Sequence, residues 1–266
     1  MPNLQICSLR SGSRGNAILV FTDKTKILID CGISGKSVES CLADIDISPQ
    51  ELDAILVTHE HTDHTNAVGI MSRRYDLPIY ANTATFIAML DKIGNVAEAN
   101  QLTFKDGEEF EIGDIGVRSF AIPHDAANPV GYSFFSGSTK ISVATDMGHV
   151  SETAEAALKN SDIVLLEANH DPNLLDLCRY PAYLKKRIRS DIGHLSNETA
   201  AKLAVLLATS GTRQILLGHL SDENNNPHLA FETVNGIFRE NNISVGEDVI
   251  LDVATRGGIS KIYHVS

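Results

Sequence analysis

The chain has 266 residues, 43% of them hydrophobic and 21% charged, with no tryptophan. That is the composition of one large globular core, and with no apolar run near the roughly 20 residues needed to cross a bilayer it excludes a membrane-spanning or fibrous chain. Its 22 basic and 34 acidic residues, formally −12, exclude broad non-specific adhesion to nucleic acid, although bound cations could still admit a polyanionic substrate.

Residues 4–9, 17–21 and 26–30 read as three strands of an antiparallel meander. The first connection, Ser11-Gly12-Ser13-Arg14-Gly15-Asn16, is small, polar and glycine-rich. It suits a plain hairpin loop, and it can also present backbone N–H groups to an anion. Asp30 closes the third strand, where a carboxylate can orient a metal-bound histidine. A short helix is expected over 37–42 and a short buried strand at Ala54-Ile55-Leu56-Val57. Helices over 66–73 and 83–93 flank a strand at 79–81, and Gly94 stops the second of them. The second half starts again with strands at 110–112, 117–122, 130–135 and 140–145. A helix over 152–159 capped by Ser151, a strand at 163–167, a helix over 197–208, a strand at 214–217 and a helix over 229–239 follow. Strands at 249–252 and 260–263 end the chain. Two rounds of meander and alternation, with no Pro-, Gly- or Ser-rich linker between them, predict one α/β domain over 1–266, two sheets face to face with helices outside.

The chemistry concentrates in Thr58-His59-Glu60-His61-Thr62-Asp63-His64, directly after the short buried strand. From an extended loop His59 and His61 can point one way while Asp63 and His64 swing to a second position, which suits two neighbouring metal ions. His124, Asp146 and His219 each follow a predicted strand, so their side chains can gather on one sheet edge. With the first cluster they complete a three-His-plus-Asp set and a two-His-plus-Asp set sharing Asp146. Cys7, Cys31, Cys41 and Cys178 show no Cys-x-x-Cys pairing, which leaves reduced thiols as the expectation. The first five residues carry no secretory pattern, so a cytoplasmic protein without a membrane partner is expected. The block Lys185-Lys186-Arg187-Ile188-Arg189 reads either as a solvated helix face or as a surface for a polyanion.

Asp30, His59-x-His61-x-Asp63-His64, His124, Asp146 and His219, in that order, resemble the metallo-β-lactamase superfamily. The resemblance implies an αββα four-layer sandwich with one metal held by His59, His61, His124 and Asp146 and a second by Asp63, His64, Asp146 and His219. Imidazole and carboxylate donors suit zinc first, with manganese or iron as alternatives. It also implies hydrolysis without a covalent intermediate, by a hydroxide bridging two ions, with Asp63 and Asp146 placed to orient it. Gly193-His194-Leu195-Ser196 is similar to a segment of ribonuclease Z, which gives His194 a role as general acid or phosphate-stabilising group at the leaving oxygen. The 8–16 stretch, Pro123-His124-Asp125-Ala126, Glu167-Ala168-Asn169-His170-Asp171 and Gly193-His194-Leu195-Ser196-Asn197 look like the YycJ/WalJ family. That likeness implies a 5′-to-3′ DNA exonuclease linked to mismatch repair, with Ser11, Asn16 and His170 at a terminal or scissile phosphate. No insertion corresponds to the tRNA-gripping arm of ribonuclease Z, so DNA is expected ahead of RNA. The competing expectations are a ribonuclease, a hydrolase of thioesters or cyclic phosphodiesters, and a non-catalytic metal-bound scaffold.

Overall fold

The computed structural model describes residues 3–265. In the first half, β1 (Gln5–Arg10), β2 (Ala17–Phe21) and β3 (Lys26–Ile29) form the expected antiparallel meander. Then come α1 (Gly35–Ala43), β4 (Ala54–Leu56), α2 (Thr62–Thr65), α3 (Val68–Tyr75), β5 (Ile79–Asn82), α4 (Thr83–Ile93) and β6 (Gln101–Phe104). The second half runs β7 (Glu109–Ile112), β8 (Ile115–Ala121), β9 (Val130–Ser136), β10 (Thr139–Ala144), α5 (Glu152–Leu158) and β11 (Ile163–Glu167). It continues with α6 (Pro172–Leu177), α7 (Ala182–Ile188), α8 (Asn197–Thr209), β12 (Gln214–Gly218), α9 (Pro227–Glu240), β13 (Ile250–Val253) and β14 (Tyr263–His264).

The strands make two seven-stranded sheets, ordered β14-β1-β2-β3-β4-β5-β6 and β13-β12-β11-β10-β9-β8-β7. Their side chains alternate between two kinds of core, as the two-residue period of a strand requires. In β3, Ile27 and Ile29 face the layer between the sheets, with Tyr132, Phe134, Val143 and Leu165, while Leu28 packs outward with Val38, Met71 and Met89. On the far side, Val164 and Leu166 of β11 pack with Leu158, Leu203 and Phe238 from the outer helices. Helix, sheet, sheet and helix thus form four layers around a shared middle core.

The differences from expectation are local. The segment after β4 is a loop only as far as His61, because α2 folds as one helical turn at Thr62. Two elements, β6 and α6, lie outside the expected ones, and α7 carries the basic block of residues 185–189 on a helix, one of its two expected readings. In β6 only Phe104 is buried, so it carries little apolar signal. Helix α6 opens with Pro172 behind Asp171, whose side chain accepts from Asn173 N and Leu174 N.

Candidate metal centre

Parallel β3 and β4 end side by side. At the end of β3, Asp30 turns through a left-handed conformation with φ 58°, which Asp tolerates better than most residues. Its buried carboxylate accepts from Thr58 N at 2.8 Å, Thr58 Oγ1 at 2.8 Å and His64 Nδ1 at 2.7 Å. Helix α2 is pinned from behind by Asn16 N on Asp63 O at 2.8 Å and Cys31 N on His64 O at 2.7 Å. Gly32 makes this close approach possible, since a Cβ there would stand 1.5 Å from the Asp63 carbonyl oxygen.

The second sheet contributes from separate strands. β8 and β10 run the same way on either side of antiparallel β9, and β10, β11 and β12 are parallel neighbours, so their C-terminal ends share one edge. His124, Asp146 and His219 stand just beyond three of those ends, Asp146 at φ 61° and His219 at φ 54°. At the fourth end, Glu167 closes β11, fully buried. Its Oε1 accepts from His219 Nδ1 at 2.8 Å and His194 Nδ1 at 2.9 Å, and its Oε2 from Met147 N at 2.8 Å and Leu195 N at 3.1 Å. Sequence reasoning gave Glu167 no role, although a carboxylate ending a wholly apolar strand was the same signal that singled out Asp30.

These elements converge on Asp146. Nε2 of His64, His219 and His124 lie 3.3, 3.5 and 3.8 Å from its carboxylate oxygens. Nδ1 of each ring is committed elsewhere: His64 to Asp30, His219 to Glu167, and His124 to the Gly193 carbonyl at 3.1 Å. Those bonds fix the tautomer that leaves Nε2 able to ligate. Ligand atoms lie within 4.8 Å of one another in each of four groups: His59-His61-His124, His59-His64-Asp146, Asp63-His64-His219 and Asp146-Glu167-His194-His219. Asp146 Oδ2 and His219 Nε2 are buried with no hydrogen-bond partner. Buried polar atoms are normally paired, and imidazole and carboxylate donors left open in this way fit divalent metal ions.

Burial disfavours the protonated form of His64 and His219, yet the carboxylates win. Asp146 and Asp30 hold His64 well above the ordinary histidine range. Asp146, Asp63 and Glu167 push His219 up to about 10. His59 is driven well below its usual value by burial and by His64, which outweigh the pull of Asp146. Burial would raise Asp146, but His219 and His64 hold it well down. In the metal-free centre protons on His64 and His219 therefore stand where cations would.

His194 sits half-buried just before Ser196, the N-cap of α8, with its ring centroid 5.1 Å from that of His124 and 5.3 Å from that of His219. Ser11 and Asn16 are both buried. Ser11 Oγ accepts from His219 N at 2.7 Å, and Asn16 Oδ1 accepts from Gly12 N at 3.0 Å. With Gly15 N on Gly12 O at 3.0 Å, the loop's amides at Gly12, Gly15 and Asn16 all bond within the fold. His149 is exposed and its Nδ1 donates to Asp191 O at 2.9 Å. A cavity of about 250 Å³ opens over the centre, lined by His61, Asp63 and His194 and also by Tyr180, Leu184 and Arg187. A larger cavity, about 730 Å³ beside α9, contains none of these groups.

Residues 25–220 match the β-lactamase superfamily domain. The chain is 41% identical over 244 residues to exodeoxyribonuclease YycJ of Bacillus anthracis, covering 92% of each. The chain belongs to the β-lactamase superfamily, in its YycJ/WalJ family. Exodeoxyribonuclease WalJ of Streptococcus pneumoniae is likewise 41% identical to this YycJ/WalJ member, over 90% of each chain. The metallo-β-lactamase fold protein YhfI of Bacillus subtilis superposes with a TM-score of 0.74, covering 99% and 100% of the two chains, and at 15% identity it shows the shared fold. As a family member the protein is a metal-dependent hydrolase, and the expected αββα architecture is the observed one.

Proposed function

We propose that the protein is a dinuclear metal-dependent phosphodiesterase, a 5′-to-3′ DNA exonuclease of the cytoplasm linked to mismatch repair. The observation that carries the reading is the position of Asp146, one carboxylate within reach of Nε2 of His64, His124 and His219. Its nuclease character is supported by the similarity, along nearly the full length, to exodeoxyribonucleases, and the DNA-repair assignment by the resemblance to that family. In this reading His59, His61, His124 and Asp146 hold one ion, and Asp63, His64, Asp146 and His219 the other, with zinc the first choice. The ions, when bound, supply Lewis acidity that turns water into a hydroxide nucleophile and offsets charge on the phosphate oxygens.

The chain's own residues do the rest. Asp63, partly exposed to the cavity, accepts the nucleophile's proton and aims it. His194, with Nδ1 fixed on Glu167, has its second nitrogen available to protonate the leaving oxygen. Asp30 and Glu167 keep the imidazoles at the required angle. Among the described residues no helix is long and apolar enough to cross a membrane.

The test is digestion of end-labelled duplex and single-stranded DNA with zinc, manganese or magnesium. Mononucleotides should leave the 5′ end in order, and Asp146→Ala should lose on the order of 10³-fold in turnover, as expected for removal of a central charge-stabilising group. Inert DNA beside rapid turnover of a thioester or small cyclic phosphodiester would move the function to small molecules.

A further inference from the structure

A second cavity, about 250 Å³, lies against the metal centre and shares only His194 with the cavity above the ligands. Its other walls include Gly148, His170, Arg189, Ser196 and Thr199. His170 is 3% exposed and its Nδ1 has no hydrogen-bond partner. A buried donor or acceptor left unpaired is destabilising, so its presence beside an open cavity points to something that binds there. Ser196 and Thr199 belong to the first turn of α8, a thirteen-residue helix whose N-terminal end favours an anion. Arg189 supplies the positive charge. It rests in a solvent-exposed pair with Asp176 at 2.5 Å, a water-screened kind of pair that contributes little and yields readily to a phosphate. Glu198, in the same turn, is exposed and does not line the cavity.

We infer that this cavity holds the 5′-terminal phosphate of the strand being degraded; the inference rests on the exonuclease reading and specifies its substrate. The stereochemistry of 5′-to-3′ digestion sets the direction. Hydroxide forms a bond to the phosphorus between the first and second nucleotides, and the bond from that phosphorus to the 3′-oxygen of the first nucleotide breaks. That oxygen takes its proton from His194, releasing a nucleoside 5′-monophosphate and leaving a new 5′-phosphate on the shortened strand. The departing nucleotide, with its own 5′-phosphate, thus lies on the leaving-group side of His194. The second cavity opens beside His194, the one residue it shares with the cavity over the ligands, and in this assignment it receives that nucleotide's 5′-phosphate.

The metal-loaded protein is assayed on one duplex ending in 5′-phosphate or in 5′-hydroxyl. Wild type should favour the phosphate by about tenfold or more in kcat/KM, and Thr199→Val, Arg189→Gln and His170→Asn should each pull that ratio towards one. Arg189 and Thr199 are not part of the buried core, so their variants guard against a folding defect in His170→Asn. Calorimetry in excess chelator gives a readout without turnover. Thymidine 5′-monophosphate should bind more tightly than thymidine, and Thr199→Val should weaken only the nucleotide, by about tenfold. Equal use of both ends with normal mononucleotide release, or variants that fold but leave the ratio and nucleotide binding unmoved, overturn the pocket and leave the exonuclease standing. No cleavage of either end overturns the exonuclease reading, and the assignment to a DNA terminus with it.

Discussion

The two halves of the molecule build their shares of the centre by different means. The first half places His59, His61, Asp63 and His64 within six consecutive residues, and a loop with one helical turn sets their directions. The second half draws His124, Asp146, His194 and His219 from well-separated segments, brought together by the register of parallel strands. Each half backs its ligands with one buried carboxylate at a strand end. Asp30 supports His64 alone among the imidazoles, whereas Glu167 bonds both His219 and His194 as well as two backbone amides. A cluster close in sequence needs little outside help, while a dispersed one depends on a shared anchor.

The largest expected effect tests that asymmetry. Gln in place of Glu167 keeps the shape but must turn an N–H group towards an existing donor, misdirecting two histidines at once. Glu167→Gln should lower metal affinity and kcat/KM by about 100-fold, at the upper end for residues that orient ligands, and Asp30→Asn by about tenfold. Metal content after dialysis, read beside turnover, checks both. Equal losses would mean that the two halves lean on their carboxylates alike.

A smaller effect concerns protons. In the metal-free protein His64 is held above its ordinary range and His219 near 10, one in each half, so both are protonated at neutral pH. A metal must displace those protons, so affinity should rise with pH, by about tenfold per pH unit for each proton displaced below the folded pKa. Calorimetry between pH 6 and 8 in buffers of different ionisation heat should show about two protons released on filling the centre. Glu167→Gln should reduce that to about one, because it lowers only His219. An affinity flat across this range would show both rings neutral before the metal arrives.

The same contrast explains what the sequence made legible. Thr83–Ile93 and Ile163–Glu167 were read to the residue, and β1 to β3 nearly so, because apolar period and stop signals are local. The ligand types clustered after β4 stood out for the same reason. What escaped depends on distance along the chain. Glu167 matters because β11 lies between β10 and β12, and no spacing in the sequence states that. Ser11 and Asn16 stood out as small polar loop residues, but only the fold shows Ser11 Oγ taking the amide of His219, 208 residues away. Helix α6 was hidden by its weak apolar period, being short and largely exposed, and α7 showed only as the helix-face reading of its basic block.

The smallest predicted effect falls on that α6–α7 segment, which has no counterpart in the first half. Residues 179–189 include five basic and no acidic side chains in a chain of charge −12. Arg187 and Arg189 are already paired, with Asp125 and Asp176, and Lys185 Nζ donates to the Asp176 carbonyl. Lys186 is exposed, and Tyr183 is 75% exposed beside Tyr180 and Leu184 at the mouth of the centre. A phosphate backbone passing over this strip meets cations with an aromatic surface between them, an arrangement suited to a single strand. By contrast, the basic pair of the first half, Arg73 and Arg74, is engaged by the carbonyls of Ile93 and Asn95 and by Glu39. Reversing Lys185 and Lys186 to Glu should raise KM for DNA about 3- to 10-fold and lessen the slope of log KM against log salt by about two, with the loss concentrated in binding. If KM and salt slope stay at their wild-type values, the strand enters elsewhere along the rim, and the second half directs the chemistry without directing the DNA.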